Sequence, residues 1–166
     1  MKIDVSKIVK SEGTAISIVA DVSIDSISFN GQEFEFASPI KVDGTLRNSD
    51  GNLSLEAHAV AQFSTLCARC LEPIERLFEF DISEEFTSAP IDEDSEFLPI
   101  VSNTIDLGVA VEDNFCTALP IRFLCSEDCT GLCHICGINL NDGACDCDTE
   151  EIDPRLAKLK DFLKND

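Results

Sequence analysis

Nine cysteines in 166 residues are the main chemical resource of this chain. Cys67-Ala-Arg-Cys70 and Cys133-His-Ile-Cys136 are C-x-x-C pairs, and Cys125, Cys129, Cys145 and Cys147 lie around the second. Two residues between cysteines let a tight turn aim both sulfurs at one ion, with backbone N–H groups left to bond the thiolates. Gly137, just after the second pair, supplies the unusual backbone angles such a knuckle needs. Asn141-Asp142-Gly143 reads as a hairpin turn that swings Cys145 and Cys147 back toward Cys133 and Cys136. This is the spacing of a four-cysteine zinc site closed locally. Cys67, Cys70, Cys125 and Cys129 remain as a second set, pinning the end of a long strand to the segment after a helix. A rival partition joins the two C-x-x-C pairs and leaves the other four cysteines together. A third leaves one site and spare thiols. The local partition is favoured because closing a short loop costs less entropy.

Four sulfur ligands close the coordination sphere, whereas a catalytic zinc keeps a position open for water. The expectation is therefore structural zinc, two ions, and no enzyme. An iron–sulfur cluster is the cysteine-only rival. Thiol redox chemistry at Cys67 and Cys70 lacks the surrounding βαβ pattern. Cys116 reads as a small buried hydrophobe. His58 falls on the polar face of its strand, and His134, inside a knuckle, is an exposed contact or an alternative ligand. No nucleophile elbow, P-loop or dinucleotide fingerprint is present. The chain has no Trp or Tyr, so no aromatic base-stacking platform is evident. No catalytic residue, organic cofactor or small-molecule substrate is expected.

Asp and Glu number 32 against 12 Lys and Arg, a net charge of −20, and two tetrathiolate zinc sites would deepen it. Such acidity opposes non-specific binding to nucleic acid or membranes, which needs clustered basic surface. It suits a basic protein partner. At 44% hydrophobic and 27% charged, the composition is that of a globular protein. The N-terminal residues are too polar for a signal peptide, and no stretch has the roughly 18 apolar residues of a spanning helix. A reducing cytoplasm is the expected setting, and there paired cysteines read as metal ligands before disulfides.

The elements that position the cysteines begin with strands. Ile16, Ile18, Ala20, Val22 and Ile24 alternate with other residues, as do Ile40, Val42, Gly44 and Leu46. A turn cluster at residues 48–52 precedes a long alternating run from Leu53 to Phe63, which predicts an antiparallel hairpin. Phe78, Phe80, Ile82 and Phe86 make another strand face, where Glu84 breaks the pattern and suggests a bulge or the sheet edge. Residues 88–96 read as a solvated acidic loop. Asn103 or Thr104 caps a helix with Asp106 in its first turn; Leu107, Val111, Phe115 and Leu119 form its apolar stripe and Pro120 stops it. Asp153-Pro154 opens a terminal helix striped by Leu156, Leu159, Phe162 and Leu163, with Arg155, Lys158, Lys160 and Lys164 elsewhere. The fold class is α+β, mainly antiparallel β as a sheet or partly closed barrel. A covering helix, a small zinc-binding C-terminal region and a terminal helix complete it. Residues 1–100 make the antiparallel β domain carrying the first C-x-x-C. Residues 101–166 hold the helix, the zinc-ribbon-like cluster and the C-terminal helix packed on it.

Three phrases in order carry a family resemblance: residues 67–73 (CARCLEP), residues 128–141 (DCTGLCHICGINLN) and residues 153–157 (DPRLA). Together with the Ile105-Asp106-Leu107 helix ending at Leu119-Pro120, they resemble the YceD family, the large ribosomal RNA subunit accumulation proteins of bacteria and plastids. His134 departs from a pattern that often has Pro there. The resemblance implies a role in large-subunit ribosomal RNA accumulation and ribosome biogenesis, with precursors of the large subunit as partners, and no known catalytic activity. An RNA role sits uneasily with this acidity. Either Arg155, Lys158, Lys160 and Lys164, with Arg69 and Arg122, form a local basic spot, or the acidic surface binds basic ribosomal proteins; like-sign repulsion favours the second. A protein-interaction adaptor with no ribosomal role is the alternative.

Overall fold

A computed structural model describes residues 1–92 and 95–147. The elements run β1 (Lys2–Asp4), α1 (Ser6–Val9), β2 (Ala15–Val22), β3 (Ser26–Phe29), β4 (Gln32–Phe36), β5 (Ile40–Ser49), β6 (Asn52–Leu66), β7 (Pro73–Thr87), β8 (Leu98–Pro99), β9 (Thr104–Asp106) and α2 (Leu107–Ala118). The predicted terminal helix lies outside the described residues. Contacts divide the chain into two compact units, one of Met1–Ala68 with Glu72–Cys125 and one of Arg69–Leu71 with Ser126–Asp166.

The first unit is built on β6. Its first half pairs with β5, two residues near its end (Phe63 and Ser64) pair with β4, and its other side pairs with β7 in unbroken antiparallel register from Leu53↔Phe86 to Leu66↔Pro73. β2 extends the sheet beyond β5, the β3–β4 hairpin joins through β4, and β8 adds a two-residue parallel step to β7. The sheet stays open: β2 ends it on one side, so the partly closed barrel is not formed. β1 and β9 make a separate two-stranded ladder. The β5–β6 hairpin turns on Asp50 and Gly51, both at positive φ, and the β3–β4 hairpin on Asn30 and Gly31, likewise; positive φ at both centres matches the twist of the flanking strands. Asn48 locks the first turn. Its amide donates to the carbonyls of Ile8 (2.7 Å) and Val9 (3.1 Å) at the end of α1, while its oxygen accepts the Gly51 N–H at 3.1 Å.

One sheet face buries the core and carries α2. The alternation sends Ile18, Val42, Leu46, Leu55, Phe63 and Phe80 inward. Across β6 and β7 small faces large, Ala57 with Ile82, Ala59 with Phe80 and Ala61 with Phe78. α2 contributes Leu107, Ala110, Val111 and Phe115, all fully buried, while Leu119 is half-buried. Phe115 sits among five rings, Phe34, Phe36, Phe63, Phe78 and Phe80, at centroid distances of 5.3–5.8 Å, each met edge to face. That geometry lets the positive edge of one ring meet the negative face of the next. The helix start differs from expectation. Asp106 itself is the N-cap, its carboxylate accepting the Gly108 N–H at 3.0 Å, because Thr104 is taken up by β9. Glu84 marks no bulge. It lies on the helix side of continuous β7 and accepts the Asn114 amide at 2.6 Å; burial raises its pKa. Cys116 is half-buried, and desolvation raises its thiol pKa. The described residues between β7 and β8 form no helix or strand, as read from their acidity.

The other face points outward. There His58 Nδ1 lies 3.0 Å from Asp81 and its Nε2 3.7 Å from Glu79. Back on the core face, at Gly44 opposite Ala57, the strands approach so closely that an added Cβ would collide with the Ala57 Cβ and the Glu56 carbonyl.

Two outcomes follow from this packing. Phe115→Ala is expected to cost about 3–5 kcal/mol by chemical denaturation, the scale for an emptied aromatic site, and Gly44→Ala to destabilise through overpacking against Ala57. The hydrogen bond that the His58 ring donates to Asp81, helped by the charges of Asp81 and Glu79, raises the His58 pKa above its ordinary 6.5. Its contribution to stability is thus present below pH 6.5 and lost as pH rises through the folded value. An NMR titration should place the His58 midpoint above 6.5 and return it toward 6.5 in Asp81→Asn.

Candidate metal centres

The structure gathers eight cysteines into two sets of four, each with its sulfurs all within 4.8 Å of one another: Cys67, Cys70, Cys125 and Cys129, and Cys133, Cys136, Cys145 and Cys147. This is the local partition, not the one that joins the two C-x-x-C pairs. A tetrahedral S₄ site with metal–sulfur bonds of about 2.3 Å needs sulfurs about 3.8 Å apart, which the sets accommodate. Soft sulfur donors in fours fit zinc or an iron–sulfur cluster and not a hard cation.

The second set is built almost without secondary structure. Cys133 donates its N–H to the Ile138 carbonyl at 2.9 Å, and Gly137 returns its N–H to the Cys133 carbonyl at 2.8 Å, which closes a tight knuckle. Leu132 and Asn139 form an antiparallel bridge at its base. Gly137 takes φ +75, the left-handed conformation foreseen for it. Inside the knuckle the backbone N–H groups of Cys136 and Ile135 bond the Cys133 sulfur and lower its pKa to about 6. Cys147 is pushed up to about 12, first by hydrogen bonding with Cys136, then by burial and by Cys145. One thiolate is thus stabilised by the backbone, and further ionisation is opposed by the sulfurs already present. A dication removes that opposition. The four are not joined by disulfides. His134 is exposed, and the set of four sulfurs is complete without it.

In the first set Cys67, Cys70 and Cys129 are buried and Cys125 is exposed. The residues between β6 and β7 form its knuckle. The Cys67 N–H donates to the Glu72 carbonyl at 2.8 Å, and the Cys125 N–H donates to the Cys67 sulfur at 3.3 Å. Leu71 follows Cys70 as Gly137 follows Cys136, and it too has positive φ, +60. A branched residue there stores strain of about 1–2 kcal/mol, which the surrounding bonds must offset.

Sequence reasoning missed the side chains that hold these loops. Asn141, read only as a turn residue, is a hub. Its oxygen accepts the Thr130 N–H (2.8 Å) and hydroxyl (2.9 Å), and its amide donates to Asn139 (2.8 Å) and to the Cys129 sulfur (3.5 Å). Arg69 donates to the Cys129 carbonyl at 2.6 Å, so it braces the loop that carries this candidate ligand. The signal was the Asn-x-Asn spacing of residues 139–141, since short amides bond neighbouring backbone.

Residues 55–163 match the family described as Large ribosomal RNA subunit accumulation protein YceD. An uncharacterized protein of Mycobacterium tuberculosis is 35% identical over 102 residues, 58% of this chain and 49% of that protein. An uncharacterized Mycobacterium bovis protein matches equally. An uncharacterized Mycobacterium leprae protein is 27% identical over 172 residues, 98% of this chain and 77% of its own length. The chain thus spans about half the length of the first two relatives. No solved structure matches. The family match covers well over half of the chain and includes every cysteine of both sets, so the chain belongs to the YceD family.

Groups that orient metal ligands commonly contribute 10–100-fold in affinity. Asn141→Ala is expected to weaken metal binding within about that range, measured by competition with a chromophoric chelator, while far-ultraviolet circular dichroism of the sheet stays unchanged.

Proposed function

We propose that the chain is a non-catalytic, zinc-stabilised factor that supports accumulation of large-subunit ribosomal RNA in the cytoplasm, through contact with precursors of the large ribosomal subunit. Membership of the YceD family carries this reading. Two sets of four cysteines support the metal, since each supplies a complete sulfur shell and leaves no open position for a reacting water. Zinc is favoured because it is redox-inert and indifferent to the geometry that loops impose.

The contact is proposed to run through basic ribosomal proteins. A net charge of −20 repels phosphate and attracts lysine- and arginine-rich surfaces. Among the described residues no helix is long and apolar enough to cross a membrane.

Purified chain is expected to carry two zinc ions and no iron by elemental analysis. Replacing Cys133 and Cys136 by Ser, or Cys145 and Cys147, should remove the same single equivalent; replacing Cys67 and Cys70 should remove the other. Acidification should release zinc, because protons compete for the thiolates. In lysate, the chain should co-sediment with large-subunit precursors; capture free of ribosomal proteins and ribosomal RNA would overturn the ribosomal role and leave an interaction adaptor.

A further inference from the structure

The sheet face opposite α2 is open to solvent, and its register brings distant charges into rows. Asp21, Lys41, Val60 and Glu79 lie side by side across β2, β5, β6 and β7. The next row reads Val19, Asp43, His58 and Asp81. Four carboxylates thus stand against one lysine and one histidine, and that histidine is already engaged by Glu79 and Asp81.

Apolar surface lies among these acids. Val19 is 79% and Leu77 67% exposed, at opposite sides of the rows. Leu77 and Val60, with Pro39, also line a depression of about 330 Å³ whose rim carries Asp21 and Lys41. A face that sets apolar side chains among four carboxylates complements one kind of side chain. Lysine and arginine lay a hydrocarbon stem on apolar surface and hold a cation at its end. With four carboxylates against Lys41 and a His58 already engaged, phosphates would meet net repulsion here, which argues for protein and against RNA.

We propose that the outer face of β2, β5, β6 and β7 is the docking surface for a lysine- and arginine-rich segment of a protein partner. The inference rests on the proposed function for the partner's ribosomal origin and on charge and shape for the site itself. The stems lie over Val60 and Leu77, and the cationic heads meet Asp21, Asp43, Glu79 and Asp81. Association is fast at low salt and weakens as salt rises, as electrostatic complementarity requires.

The test compares two triple variants of the full chain. One neutralises the face with Asp43→Asn, Glu79→Gln and Asp81→Asn. The control removes the same charge elsewhere, with Glu12→Gln, Glu112→Gln and Asp113→Asn. All six residues are exposed, and circular dichroism checks that both variants fold. The probe is a short arginine- and lysine-rich peptide, with a single-stranded RNA alongside. The face variant should lose about tenfold or more in peptide affinity, and the control less than about threefold, a gap well above measurement error. Equal losses in both would reduce the effect to bulk charge and overturn the site, as would unchanged binding by the face variant or tighter binding of RNA than of peptide. Sedimentation with large-subunit precursors separates the two readings. If wild type co-sediments and the face variant does so equally, the docking surface is wrong and the ribosomal role stands. If wild type fails to co-sediment, the ribosomal role falls while the peptide comparison still decides the face.

Discussion

Four sulfurs within 4.8 Å of one another form a stable arrangement of thiolates only around positive charge. Two unit charges 4 Å apart repel by about 4 kcal/mol at an effective dielectric of 20. The opposed thiol behaviour of Cys133 and Cys147 expresses that conflict: backbone amides favour one anion, and the neighbouring sulfurs resist the next. Around this constraint the described part of the second unit is organised. From Ser126 to Cys147 it contains one β-bridge, a few turn hydrogen bonds and the Asn141 hub. Few of its apolar side chains are buried; Ile135 and Ile138 face solvent, and Cys129 and Cys133 are among its buried residues. A loop region so poor in hydrophobic burial needs a substitute for a core, and the cysteines are placed to provide one.

The first unit is stabilised differently, and this difference decides what the sequence disclosed. Its strands obey period two, so the β5–β6 hairpin and the aromatic face of β7 are legible from alternation alone. The partition of cysteines was legible as well, because local loop closure is a property of spacing. Pairings remote in sequence were not. β1 and β9 join residues a hundred positions apart, and three-residue strands carry no periodic signal. The β3–β4 hairpin escaped notice despite Asn30-Gly31, since its strands are only four and five residues long. Glu84 read as a break because a carboxylate on a core-facing position looks like an error. Its partner, Asn114, lies on a helix thirty residues away. The polar braces of the knuckles were hidden for the same reason: Arg69 reaches Cys129 across sixty residues.

The proposed contact with basic proteins would reconcile the acidity of the chain with the RNA in its family's name. The charge is also distributed in a structured way. The open sheet face carries carboxylates in register, whereas the core face beneath α2 is nearly all hydrocarbon. A sheet covered on one side and left to solvent on the other is a common antiparallel arrangement. Here the solvent side alternates acid with exposed valine and leucine, so one set of β-strands serves both stability and the proposed recognition.

The ring cluster around Phe115 has a spectroscopic consequence. With neither indole nor phenol in the chain, every aromatic contact in the core is made by phenylalanine, which has no N–H or O–H to satisfy. The cluster therefore leaves no ring polar group in search of a partner. It is also nearly silent to the intrinsic fluorescence by which unfolding is usually followed, so a single tryptophan introduced at an exposed position would report against an unlit background.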